Sequence, residues 1–172
     1  MIITAGKYKG QKITAPDENI TRPTLSKVRM GIFNTLQALI EFDGKSFLDM
    51  YAGSGIMGLE AISRGFKNAC AIEKNIKAAN IIKTNFKKFE NYPQLITGDS
   101  LKITSKLKEK FDVIYIDPPY FAGIYEKSLA AIRNIAADII ILEHINDVNF
   151  TGFKLIKQKR YGNKLITFLS VC

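Results

Sequence analysis

The sequence predicts an α/β protein built on a doubly wound, mostly parallel sheet. Strand-like apolar runs alternate with helix-like amphipathic segments from residue 46 to residue 143, and successive strands end in a carboxylate: Asp49, Glu73, Asp99 and Asp117. The chain then closes on two strand-like runs, Phe153 to Tyr161 and Lys164 to Val171, joined by Gly162-Asn163, a hairpin turn. The expected architecture is a seven-stranded sheet ending in an antiparallel hairpin.

Residues 1–23 stand outside the repeating pattern as a small β/helix extension. Met1 to Thr4 and Gln11 to Ala15 read as two short strands around the turn Lys7-Tyr8-Lys9-Gly10. Thr21-Arg22-Pro23-Thr24 prepares a helix, with Thr24 as N-cap. Leu25, Val28, Ile32, Leu36 and Leu39 recur at helical spacing, which predicts a helix over 25–42, ended by Asp43-Gly44-Lys45. Ser46 to Met50 is the first strand of the repeat, and Gly55 to Arg64 a helix stopped by Gly65. Ala69 to Ile72 follows as a strand. A lysine-studded helix is expected over Asn75 to Phe89, burying Ile76, Ala79, Ile81, Ile82 and Phe86. Leu95 and Ile96 mark the third strand, and a short helix runs from about Leu101 to Lys108. Val113 to Ile116 is a strand buried on both faces, Ile124 to Asn134 a helix, and Asp138 to Glu143 the fifth strand. No linker or repeat divides the chain, so residues 1–172 read as one domain.

The composition is that of a globular protein, 47% apolar and 24% charged. The longest apolar run, Ile139 to Leu142, is only strand-sized, and the amino terminus lacks the apolar core of a secretory signal. Cys70 and Cys172 support neither a disulfide framework nor a metal site. A cytoplasmic, metal-free protein is expected. The excess of 25 Lys and Arg over 16 Asp and Glu, a net charge of +9, points to a polyanionic partner. The segment from Thr151 to Cys172 is the most lopsided, with Lys154, Lys157, Lys159, Arg160 and Lys164 and no acid.

Two motifs carry chemistry. In Asp117-Pro118-Pro119-Tyr120 the diproline forces the chain out of the sheet and leaves Asp117 and Tyr120 at a strand's carboxyl end, where open α/β sheets bind ligands. That arrangement suits an aromatic exocyclic amine: the Asp117 carboxylate and the Pro118 carbonyl accept its N–H bonds while Tyr120 stacks on the ring. The second motif spans the first strand-to-helix turn. Gly53, Gly55 and Gly58 satisfy the dinucleotide fingerprint, with Glu73 where a ribose-binding acid belongs, so a nicotinamide dehydrogenase comes into view. Asp49 opposes it, because a carboxylate beside the glycine turn suits a pyrophosphate poorly, and the chain leaves little room for a separate substrate domain. S-adenosylmethionine, with a free ammonium and no phosphate, fits better. Asp49 then positions its methionine portion, Glu73 its ribose, and Asp99 its adenine amine, with Ser100 and Leu101 beside the ring.

The residues also resemble a known family, the bacterial 16S ribosomal RNA guanine-N2 methyltransferases of class I, Rossmann-like fold. The resemblance runs from Ile3-Thr4-Ala5-Gly6-Lys7-Tyr8-Lys9-Gly10 and Thr21-Arg22-Pro23-Thr24 through Phe47 to Gly55, Gly58-Leu59-Glu60-Ala61, Glu73-Lys74, Gly98-Asp99 and Asp117-Pro118-Pro119-Tyr120 to Glu143-His144 and Arg160-Tyr161-Gly162. It implies methyl transfer from S-adenosylmethionine, leaving S-adenosylhomocysteine, to the N2 of a guanine in 16S rRNA or the assembling small subunit. It also implies Asp117, Pro118, Pro119 and Tyr120 as catalytic residues, Ala52, Gly53, Gly55 and Lys74 beside the cofactor acids, and a monomer without a membrane. Asn134-Ile135-Ala136-Ala137-Asp138 replaces the Pro-Gly-Gly turn that many relatives have before the fifth strand. Lys7, Lys9, Lys12 and Arg22 cluster in the extension that the core fold does not need, and are the candidate RNA phosphate contacts. His144 reads as structural, and Phe121 and Tyr125 as packing or pocket wall. A DNA adenine-N6 methyltransferase, or a catalytically silent RNA-binding assembly factor, would share many of these features.

Overall fold

Strands made of β-branched and apolar residues must be covered on both faces, and helices on both sides of the sheet do this here. The structure is a computed structural model that describes residues 1–17, 25–119, 121 and 123–172. Its helices are α1 (Ser26–Gln37), α2 (Ile56–Ser63), α3 (Ile76–Phe86), α4 (Ser100–Thr104) and α5 (Ile124–Ile132). Its strands are β1 (Ser46–Asp49), β2 (Asn68–Glu73), β3 (Gln94–Thr97), β4 (Phe111–Ile116), β5 (Ala136–His144), β6 (Phe153–Tyr161) and β7 (Lys164–Val171). They form one sheet in the order β3-β2-β1-β4-β5-β7-β6. The first five are parallel, and β7 runs antiparallel between β5 and β6.

The two-residue period of each strand sorts its side chains into two cores. Phe47, Val113, Tyr115, Ile141 and Phe168 face the side covered by α1, α2 and α3, whereas Leu48, Ile114, Ile116, Leu142 and Leu169 face the side covered by α5 and the α4 segment. The strand order reverses between β1 and β4, which opens a crevice at their carboxyl ends.

Element boundaries differ from the sequence reading where tertiary contacts decide. The first helix stops at Gln37 and not at 42, because Phe42 turns back to stack on Phe66 with ring centroids 4.6 Å apart. Thr24, its expected N-cap, lies outside the described residues; Leu25 takes that position without a side-chain cap. Asn75 is the N-cap of α3, its side chain accepting the Ala78 N–H at 3.1 Å. That orientation turns Ile76 outward, 70% exposed, and Ala78 and Asn85 join the buried face in its place; Ile81 is only half-buried. The helix after β3 is a single short turn, and β5 extends back to Ala136 through an irregular register between Phe111 and Val113.

The two expected amino-terminal strands reduce to one antiparallel bridge, Ile2 with Lys12. Paired backbone bonds still close the hairpin, including Ile3 N–H to the Gln11 carbonyl at 3.0 Å and Gly10 N–H to the Ile3 carbonyl at 2.9 Å. Gly6 lets the hairpin lie directly on α2: its φ is +80°, and a Cβ there would stand 1.7 Å from the Ser63 carbonyl oxygen.

Beneath the hairpin, Glu60 of α2 is fully buried and acts as a hub. Its carboxylate accepts the backbone N–H groups of Thr4 (3.0 Å) and Ala5 (3.1 Å), the Thr4 hydroxyl, and the guanidinium Nε atoms of Arg29 (3.1 Å) and Arg64 (2.9 Å). One carboxylate thus ties the extension, α1 and α2 together. Among the described residues no helix is long and apolar enough to cross a membrane.

Glu60→Ala strands the buried Arg29 and two backbone donors, so it should destabilise the fold by roughly 3–5 kcal/mol. Urea unfolding of the variant against the parent chain measures this; a change below about 1 kcal/mol would show that the hub contributes little.

Candidate active site

The crevice holds a cavity of about 590 Å³, within the size range of small-molecule sites. Its floor is the turn between β1 and α2. The Met50 N–H donates to the Tyr115 carbonyl at 3.0 Å and the Ala52 N–H to the Ile72 carbonyl at 2.8 Å, so the turn is stitched to β4 on one side and β2 on the other. Gly55 caps α2 at φ +77°, where a Cβ would stand 2.8 Å from the Phe86 ring. It therefore seats α2 against α3, one residue back from the cavity wall.

Asp49, Glu73 and Asp117 reach the cavity from the ends of β1, β2 and β4, and each is stabilised differently. Glu73 accepts the Gly53 N–H at 2.8 Å and the Asn75 N–H at 2.7 Å, which holds the glycine turn in shape. Each of its oxygens keeps a second lone pair for a ligand hydroxyl. Asp49 is 1% exposed, and among the described residues neither of its carboxylate oxygens meets a hydrogen-bond partner. Burial first, then the Asp117 and Glu73 carboxylates, hold its carboxyl well above the usual range; the nearby Tyr51 and Gly58 backbone groups offset only part of this. An orphaned buried acid facing a cavity is fitted to a cationic ligand group. Asp99 caps the turn at Ser100, accepting the Lys102 N–H at 3.1 Å, and pairs with the exposed Lys74 at 3.2 Å. The Lys102 N–H and then the Lys74 ammonium lower its carboxyl, which stays ionised at the rim.

Asp117 ends β4 on the α1–α3 side of the sheet, followed by Pro118 in the wall and the exposed Pro119. Among the described residues no hydrogen bond or ion pair takes up its carboxylate. Burial, with the Glu143 carboxylate as second cause, pushes it up to about 7 against the opposing pull of the Lys164 ammonium. Glu143, at the end of β5, is fully buried; it accepts the Tyr115 hydroxyl at 2.8 Å and is ion-paired with Lys164.

The structure thus brings together Asp49, Ala52, Gly53, Glu73, Lys74 and Asp99 with Ser100, Leu101, Asp117, Pro118 and Pro119 around one cavity. Tyr120 and Arg22 lie outside the described residues. Lys7, Lys9 and Lys12 are exposed and remote: the Lys7 N–H donates to the Ser63 carbonyl at the far end of α2, about 12 Å of helix from the glycine turn. Lys7 also pairs with the exposed Glu90 at 2.7 Å. His144 is buried, its Nδ1 donating to the Asn146 carbonyl (2.7 Å) and its Nε2 accepting the Thr167 hydroxyl (2.8 Å), a structural tether between β5 and β7. Phe121 stands exposed at the cavity rim, and Tyr125, in the first turn of α5, is buried. Tyr115 and Lys164 line the cavity without having been singled out. Lys164 was accessible from the hairpin register, since Ile166 pairs with Glu143 and Lys164 lies two residues back on the same face.

The profile of the family described as conserved hypothetical protein 95 matches residues 1–170. The chain belongs to that family. Among its relatives is the ribosomal RNA small subunit methyltransferase D of Buchnera aphidicola, 35% identical over 136 residues, covering 77% of this chain and 69% of the relative. YlbH of Bacillus subtilis, provisionally named an rRNA methyltransferase, is 34% identical over 148 residues, or 83% of this chain and 77% of the relative. The solved structure of yhhF from Escherichia coli, provisionally named a methyltransferase, superposes with a TM-score of 0.88 at 21% identity, covering 99% of this chain and 97% of that one. Its likeness establishes the Rossmann-like fold. The resemblance read from the motifs is confirmed at the level of the family.

Native Asp117 keeps a proton that the unfolded chain releases from about pH 4 upward, so the native state loses stability as pH rises from there through about 7. Asp117→Asn removes that loss. Thermal unfolding from pH 4.5 to 8.5 should show the Asn variant gaining on the parent chain up to about pH 7 and holding a constant margin above it; a margin independent of pH would place the group's titration elsewhere.

Proposed function

We propose that the chain transfers a methyl group from S-adenosylmethionine to the exocyclic N2 amine of a guanine in small-subunit ribosomal RNA. The observation that carries the reading is Asp117, a half-buried carboxylate with no hydrogen-bond or ion-pair partner among the described residues, opening onto the same cavity as the acids of the glycine turn. When bound, S-adenosylmethionine supplies an electrophilic methyl group on a sulfonium. Asp49 fits its ammonium, Glu73 its ribose hydroxyls and Asp99 its adenine amine. The concentration of carboxylates favours a cationic ligand and disfavours a pyrophosphate, which argues against a nicotinamide dinucleotide at the same glycines. Retention of every one of these acids argues against a catalytically silent assembly factor.

Asp117 accepts an N–H of the target amine, and the rigid Pro118-Pro119 step fixes the direction from which it does so. Forming the N–C bond breaks the C–S bond and obliges the nitrogen to shed a proton. A carboxylate whose pKa lies near 7 is ionised in enough molecules to hold the amine and basic enough to receive that proton. Lys164, fixed by Glu143, limits the rise and keeps the ionised form available. RNA is favoured over DNA by the relatives named as rRNA methyltransferases and by a basic chain suited to a nucleotide presented in folded RNA, and the choice of guanine rests on the motif resemblance.

Asp117→Ala should abolish turnover while leaving S-adenosylmethionine affinity nearly unchanged; parallel loss of both would reduce Asp117 to a support of the cavity. Glu73→Ala should weaken cofactor binding by roughly 1–3 kcal/mol, read by calorimetry on folded protein, and unchanged affinity would remove Glu73 from the ribose role. The product is decided by digesting RNA methylated with labelled S-adenosylmethionine and chromatographing the nucleosides. N2-methylguanosine is expected; label recovered as N6-methyladenosine, or in DNA as its deoxy form, would overturn the assignment.

A further inference from the structure

The hairpin β6–β7 carries a feature that the cavity chemistry does not use. Strand β6 is the sheet's outer edge, and its register against β7 shifts between Leu155 and Lys157. Before the shift Lys154 pairs with Ser170 and Leu155 with Leu169; after it Lys157 pairs with Phe168 and Lys159 with Ile166. Cross-strand partners share a face, and Phe168 and Ile166 point to the α1 side of the sheet while Leu169 points away. The extra residue, Ile156, therefore brings Lys154 onto the same face as Lys157 and Lys159, where strict alternation would have put it on the other. The three lysines span four residue steps of β7, from Ser170 to Ile166, and form a row roughly 13 Å long. Lys154 and Lys157 are exposed and Lys159 is half-buried.

The row has a direction. It continues to Tyr161, which packs so closely against α1 that a Cβ on Gly31 would fall 2.0 Å from the Tyr161 hydroxyl. Tyr161 pairs with Lys164, and Lys164 lines the cavity. No acid interrupts the stretch from Thr151 to Cys172. Lysines on an edge strand also discourage edge-to-edge pairing, but that purpose is served by charges on either face. A bulge that gathers three onto one face and leads them to the active cavity fits an extended polyanion.

We propose that the Lys154–Lys157–Lys159 row is the surface along which the RNA backbone lies, with Tyr161 and Lys164 marking where the target nucleotide enters the cavity. The proposal deepens the reading of the chain as an RNA methyltransferase and rests on it. It assigns docking to the hairpin at the cavity mouth in preference to the remote Lys7, Lys9 and Lys12.

The test compares reversal of Lys154, Lys157 and Lys159 to Glu with reversal of Lys77, Lys83 and Lys87, exposed lysines of α3 and its C-cap, by the same total charge. Binding of a small-subunit rRNA fragment is titrated across a salt series, and methyl transfer is assayed separately. With roughly 0.7 of slope in log affinity against log salt for each phosphate contact to a single strand, the row variant should flatten the slope by about 2. The α3 variant should leave it unchanged, and S-adenosylmethionine binding should be intact in both. Should the Glu variant fail to fold, Lys154→Gln, Lys157→Gln and Lys159→Gln together report the same slope. An unchanged slope in the row variant, an equal loss in the α3 variant, or a larger loss on reversing Lys7, Lys9 and Lys12 overturns the surface. Wild-type protein that binds RNA through the row yet methylates none would overturn the activity and leave the surface standing.

Discussion

Four carboxylates, Asp49, Glu73, Asp117 and Glu143, end four neighbouring parallel strands on the same face of the sheet, and the site depends on how their mutual repulsion is met. Like charges in a desolvated crevice are costly unless each finds a donor or a counter-charge. Two of the four are satisfied internally: Glu73 by the backbone N–H groups of Gly53 and Asn75, Glu143 by the Tyr115 hydroxyl and the Lys164 ammonium. The other two, Asp49 and Asp117, are held at raised pKa, the Tyr51 and Gly58 backbone groups beside Asp49 and the Lys164 ammonium beside Asp117 offsetting only part of the rise. The division separates construction from chemistry. Glu73 and Glu143 hold the glycine turn and the hairpin in place, and Asp49 and Asp117 are the two acids that the proposed function assigns to ligands, a cation on one side and an N–H donor on the other.

A cavity that retains unsatisfied acids needs a rigid surround. Here the amino-terminal extension contributes through packing, since it sits at the opposite end of α2 from the cavity. Glu60 gathers Arg29, Arg64 and the Thr4–Ala5 backbone into one buried cluster, so that α2, whose first turn floors the cavity, is clamped from its far half. The contact of Gly31 with Tyr161 extends the same frame to β6. The extension that sequence alone marks as an RNA contact thus has a mechanical role in positioning α2.

Most of the fold was legible because it rests on local periodicity. Val113 to Ile116, an apolar run ended by a diproline, reads as a doubly covered strand, and Gly162-Asn163 between two β-rich runs reads as a hairpin turn. The acids of the site were legible for a related reason: each closes a strand, and strand ends define the crevice. What escaped was set by pairing between distant segments. Nothing local says that α1 must stop at Gln37, since the cause is Phe42 stacking on Phe66. Ile76 fits an apolar helical stripe, yet the Asn75 cap turns it outward. Lys164 enters the site only through the β5–β7 register, and the lysine row only through the bulge at Ile156.

The central claim is that this pocket of carboxylates takes a cationic cofactor at a glycine turn that otherwise resembles a dinucleotide site. Calorimetric titration of the same protein with S-adenosylmethionine and, in parallel, with NAD tests it most directly. Saturable one-to-one binding of S-adenosylmethionine with no detectable heat from NAD is the predicted result. Binding of NAD with S-adenosylmethionine silent would contradict it.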